Sequence, residues 1–182
     1  MTRIREQDSD PAESFRQLYD QTSRQVYAYL RRQAGPDLAE QVLSDVFLAV
    51  WRRWDSQDVP SLPWLLRTAH NALRTQRRAQ RRRDRLTAAV IFDTSLAVAV
   101  SAEAEALRQR STVAALRQLD QLDREALLLV AWDGLDYGQA AAVLGITRTA
   151  FATRLSRARR RLETALDADI FEPDPASKGA SA

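Results

Sequence analysis

Apolar positions recur at helical spacing through both halves of the chain. From Ser14 to Gln33, Phe15, Leu18, Tyr19, Val26, Tyr27 and Leu30 follow the i, i+3, i+4 stripe of an amphipathic helix. Gly35-Pro36 breaks it, and Asp37 is read as the N-cap of a second helix. That helix runs to about Arg53, with Leu38, Val42, Val46, Leu48 and Trp51 turned inward. Asp55 to Pro63, holding Pro60, Ser61 and Pro63, predicts an ordered loop. A third helix starts near Trp64 and continues into the Arg77–Arg83 run. Beyond residue 111, short helices are predicted over Val113 to Leu119 and Asp123 to Trp132, closed by Asp133-Gly134. Asp136 then caps Tyr137 to Leu144, Gly145-Ile146-Thr147 makes a tight turn, and a last helix runs from Arg148 to about Leu166.

These elements predict an all-α chain: two small helical domains joined by a flexible linker, the second containing a helix-turn-helix. The expected division is an N-terminal tail 1–11, a helical domain 12–86, a linker 87–111, a helix-turn-helix domain 112–166 and a disordered acidic tail 167–182. Composition agrees. Five glycines and six prolines in 182 residues, with 45% hydrophobic residues, favour helix and a packed core.

Charge sharpens the picture through position. Of the 27 basic residues only Lys178 is lysine, and the other 26 are arginine. Arginine favours bidentate phosphate and base contacts, although a GC-rich genome gives the same bias. Arg148 to Arg161 contains six arginines and no acid, on a helix whose buried stripe is Phe151, Leu155, Ala158 and Leu162. At 100° per residue, Thr149, Thr153, Ser156, Arg157 and Arg160 point away from that stripe, with Arg148, Arg154, Arg159 and Arg161 flanking them. A solvated face usually mixes charge signs, so nucleic-acid binding is the preferred reading. A short helix, a turn beginning with glycine and a longer helix make the helix-turn-helix pattern, with Ile146 filling the angle. Arg67 to Arg85 holds eight arginines against one acid, Asp84. Two basic strips, one closing each half, suggest two footprints on one nucleic acid.

Trp51 and Trp132 are read as core. Trp64, beside a loop and a basic helix, leaves room for base stacking. His70, the only histidine, has no motif partner and is read as structural. Without cysteine, disulfides and thiolate-held zinc are excluded within the chain. There are no paired carboxylates, no nucleophile and no phosphate-cradling glycine loop, so no enzyme is expected and no cofactor or metal. Met1 to Asp10 is polar and charged, and Leu86 to Val100 is short and interrupted. A cytoplasmic protein is the expectation.

With these residues in view, the chain resembles the extracytoplasmic-function (ECF) sigma factors of bacterial RNA polymerase. Phe47-Leu48-Ala49-Val50-Trp51-Arg52 looks like the family's polymerase-binding helix. Trp64-Leu65-Leu66-Arg67-Thr68-Ala69-His70-Asn71 looks like the segment that reads and melts the start-proximal promoter element. The run from Leu122 through Gly134, Gly145 and Arg154 to Arg159 looks like the fourth conserved region. The resemblance implies a factor that binds polymerase core and directs promoter-specific initiation. It places Ser44, Asp45, Phe47 and Leu48 at the polymerase, and Trp64, Arg67, Asn71, Arg74, Arg77 and Arg78 at the melted element. Phe47 is read as an exposed anchor, with burial as the alternative. Arg148, Thr149, Ala152, Thr153, Arg154, Ser156 and Arg157 are placed at the upstream element. The implied partners are polymerase core, promoter DNA and an anti-sigma factor. The chain departs from the pattern at Gln41, Ser44, Thr149 and Ala152, and its Asp55–Pro63 loop lacks the usual Phe-Arg-Gly. A stand-alone helix-turn-helix regulator is the alternative, but it leaves Arg67 to Arg85 unexplained.

Overall fold

A computed structural model of the chain describes residues 10–55, 57–84 and 112–171, with side chains not described at 81–84 and 168–171. The predicted linker and most of both predicted tails lie outside these residues, as does Arg85. Seven helices and no strand occur among the described residues: α1 (Pro11–Gln33), α2 (Pro36–Trp51), α3 (Leu62–Asp84), α4 (112–118), α5 (Gln121–Ala131), α6 (Tyr137–Leu144) and α7 (Arg148–Phe171). The chain splits into two compact units, the first built on α1–α3, the second chiefly from the chain after residue 97 and carrying α4–α7.

In the first unit Asp10 caps α1, its side chain accepting from the Ala12 N–H at 3.0 Å, and Pro11 follows at the first helical position. The chain then turns through Gly35, the N-cap of α2, with Pro36 inside the helix. Asp37, expected as that cap, instead lies in the first turn, because proline at N1 shifts the helix start upstream. The three helices pack against one another. Leu18, Val26, Tyr29 and Leu30 of α1 meet Ala39, Val42, Val46 and Val50 of α2 and Leu65, Leu66, Ala69 and Leu73 of α3 in one core. Tyr29 Oη lies 3.3 Å from His70 Nδ1, joining α1 to α3 and giving the lone histidine the structural place expected of it. An aromatic cluster closes one end. Phe15 meets Phe47, Trp51 and Trp54 edge-on, with centroids 6.4, 5.0 and 5.2 Å away.

In the second unit α5 packs on α7. Asp136 caps α6 by accepting from the Gly138 and Gln139 N–H groups at 2.7 and 2.9 Å. The Gln139 side chain returns the bond to the Asp136 N–H at 3.0 Å, completing a capping box. At the other end Gly145 adopts φ +68°. Its N–H bonds the Ala142 carbonyl at 3.2 Å and the Ile146 N–H bonds the Ala141 carbonyl at 3.0 Å. This is the Schellman ending, which needs a left-handed residue. Thr147 then caps α7, its Oγ1 accepting from the Ala150 N–H at 3.2 Å. Short helix, glycine turn and long helix therefore form as predicted. Ile146, expected to fill the angle, is 36% exposed, whereas Leu144 before the turn and Phe151 after it are buried. The last helix also runs five residues beyond its expected end, to Phe171.

Candidate nucleic-acid and polymerase interfaces

On α3 the buried positions Leu65, Leu66, Ala69 and Leu73 fix the rotation of the helix. Trp64, Arg67, Asn71, Arg74 and Arg78, at alternating three- and four-residue steps, fall on the opposite side and are all exposed. At 100° per residue they share an arc of roughly 80°. Five of the six residues expected at the melted element thus form one stripe, with an aromatic at its start, an amide in the middle and arginines along it. Arg67, Arg74 and Arg78 meet no acid among the described residues. The sixth, Arg77, is turned inward, and its guanidinium donates to the Gln33 carbonyl at the end of α1. A cation at a helix C-terminus is favourable, so Arg77 joins helices rather than the exposed stripe. The loop leading into α3 is ordered by Asp55, whose side chain accepts from the Gln57 N–H at 2.9 Å.

On α2, Ser44, Asp45 and Leu48 are exposed. Phe47 is only 4% exposed. Its ring lies 4.8 Å from that of Tyr19 and 6.4 Å from Phe15, so the exposed-anchor reading is corrected: Phe47 belongs to the aromatic cluster beneath the surface. Trp51, expected as core, is 46% exposed and stands at the surface with Leu48 and Tyr19. Helical geometry explains the exchange. With Val42, Val46 and Val50 facing the core, the position after Val46 falls beside the stripe, and the next one falls outside it. Trp132, also expected inside, is 63% exposed, because it is the C-cap residue of α5, beyond the packed stripe.

On α7, Phe151, Leu155 and Ala158 are buried, and Arg148, Thr149, Thr153, Ser156, Arg157 and Arg160 are exposed; Ala152 is half-buried beside them. Thr153 Oγ1 donates back to the Thr149 carbonyl at 3.0 Å. Arg154 leaves this face. It donates to Asp123 Oδ1 of α5 at 2.9 Å, and Arg161 donates to Asp123 Oδ2 at 2.5 Å and to Asp120 Oδ2 at 3.3 Å. The Asp123 side chain is 5% exposed, whereas Asp120 and Arg161 are each more than half exposed. The Asp120–Arg161 pair is therefore solvent-screened and weak. The bonds to Asp123 are sheltered. Asp120 also caps α5, accepting from the Asp123 N–H at 2.9 Å. Nearby, burial lowers the Arg124 guanidinium pKa from its usual value, with Asp120 opposing the effect.

Asp120 and Asp123 are the residues that sequence reading missed. A search for acids within Arg148 to Arg161 cannot find acids that arrive from another helix. Tyr19, on the predicted apolar stripe of α1, is 40% exposed rather than core. Among the described residues no group of three or more His, Cys, Asp or Glu is placed to hold a metal ion, and no helix is long and apolar enough to cross a membrane.

Two family models match the chain: Sigma-70 region 2 over residues 18–83 and Sigma-70 region 4 over residues 109–162. The ECF RNA polymerase sigma factor SigK of Mycolicibacterium vanbaalenii is 31% identical over 163 residues, covering 85% of this chain and 83% of that protein. The RNA polymerase sigma factor CnrH of Cupriavidus metallidurans is 34% identical over 141 residues, covering 71% and 74%. Among solved structures, the sigma factor RpoE of Bartonella quintana, in complex with the anti-sigma factor NepR, superposes with a TM-score of 0.69 at 27% identity, covering 86% of this chain and 99% of that one. The chain belongs to the ECF sigma factors of bacterial RNA polymerase.

Proposed function

We propose that this sigma factor divides promoter recognition between its two units, α3 taking the opened start-proximal element and α7 reading the upstream element as duplex. The observation that carries this is the stripe Trp64–Arg67–Asn71–Arg74–Arg78, which sets a stacking ring and an amide among arginines that meet no acid among the described residues. An amide hydrogen-bonds the edge of an unpaired base, an aromatic stacks on one, and guanidinium groups hold the backbone between. The α7 face offers Arg148, Thr149, Thr153, Ser156 and Arg157 to the major groove with Ala152 at its edge, a small polar surface suited to base edges. Polymerase core docks on the α2 surface through Ser44, Asp45, Leu48 and the adjacent Trp51, supported from below by Phe47. An anti-sigma factor belongs among the partners, as one does for RpoE. The chain acts in the cytoplasm and performs no catalysis of its own.

Run-off transcription tests this reading. Mixed with polymerase core, the protein should start transcripts at discrete sites on genomic fragments, while binding the same fragments weakly alone. Tight dimeric binding to palindromic operators without polymerase would instead identify a stand-alone regulator.

A further inference from the structure

We infer that Asp123 is a positioning residue for the DNA-reading helix, holding Arg154 and Arg161 out of the phosphate-contact set and fixing α7 against α5. The inference rests on the reading of α7 as the duplex-reading helix. Three observations support it. First, Arg154 and Arg161 are seven residues apart, two turns along one side of α7, and both reach the same carboxylate at 2.9 and 2.5 Å. A single buried anion joined at two points resists both sliding and rotation of α7, as one ion pair cannot. Second, the clamp is built where α5 begins: Asp120 caps the helix by accepting from the Asp123 N–H, and both acids sit at the positive end of α5. Third, the two arginines face two acids, so this flank of α7 is locally neutral, while Arg148, Arg157, Arg159 and Arg160 around the rest of the exposed surface meet no acid among the described residues. Two further arginines free on this flank would grip phosphates in additional orientations and weaken register; clamped, they leave the orientation to the other exposed residues.

Salt dependence separates this role from a purely structural one. Each phosphate neutralised adds ~0.9 to the slope of log affinity against log salt. The full chain is titrated with a non-promoter duplex over a salt series, and each variant is checked for folding by circular dichroism. Asp123→Asn releases two arginines and should steepen the slope by about one to two units, while holoenzyme carrying it discriminates less between promoter and non-promoter DNA. Asp123→Glu, which keeps the charge, should retain the wild-type slope. Arg154→Gln should leave the slope unchanged, since Arg154 already has its anion. A folded Asp123→Asn protein with an unchanged slope, or a slope flattened by Arg154→Gln, overturns the inference. If Asp123→Asn does not fold, the Arg154→Gln arm decides. Arg157→Gln should flatten the slope by about one unit. Its failure to do so would remove α7 from the DNA and sink the underlying reading separately.

Discussion

The helices α3 and α7 look alike as strings, each an amphipathic segment crowded with arginine, yet they dispose of that charge differently. On α3 Arg67, Arg74 and Arg78 face no acid among the described residues, and Arg77 is diverted to the carbonyl end of α1. On α7 Arg154 and Arg161 are taken up by acids from α5. The first arrangement suits a flexible single strand, whose phosphates can come to the arginines along a stripe. The second suits a rigid duplex, where a few fixed side chains must meet base edges in register. Charge counted along a sequence therefore measures a footprint only after tertiary partners are subtracted.

The largest effect should come from the packing that supports the first unit's surface. Phe47→Ala removes a buried ring from the aromatic cluster and should cost about 3 kcal/mol or more, read by denaturant unfolding. Leu48→Ala beside it should change stability by less than about 0.5 kcal/mol yet weaken binding to polymerase core. Equal stability losses at both positions would erase the distinction between support and surface.

Next comes the exposed face of α7. Arg157→Ala should weaken initial promoter binding by roughly 1–3 kcal/mol, measured as holoenzyme affinity for closed duplex. A smaller and different loss is expected at the turn. Gly145→Ala meets no atom within 4 Å, so its cost is conformational alone, about 1–2 kcal/mol for a left-handed alanine, seen as a lower unfolding midpoint.

The α7 half of this comparison was largely legible in the sequence. The glycine turn, the Asp136 cap and the Phe151–Leu155–Ala158 stripe are local patterns, and local patterns decide helix ends and faces. On α3 the Leu65–Ala69–Leu73 spacing likewise places Asn71 and Arg74 outside. What could not be read depends on three-dimensional partners. The burial of Phe47 is set by rings on α1, the exposure of Trp51 by one step of helix rotation, and the diversion of Arg77 and Arg154 by groups 44 and 31 residues away in sequence. Long arginine side chains reach several alternatives, and only the fold selects among them.

The most direct test of the division of labour is permanganate reactivity of unpaired thymines in promoter complexes formed with Asn71→Ala and with Arg157→Ala. Asn71→Ala should form closed complexes at near wild-type affinity and show depressed thymine reactivity, with the defect persisting on a pre-melted bubble template because base capture is still required. Arg157→Ala should lose occupancy on duplex and show normal reactivity in the complexes that do form. Wild-type behaviour of Asn71→Ala on both duplex and bubble templates would contradict the account, and return Asn71 to ordinary helix surface.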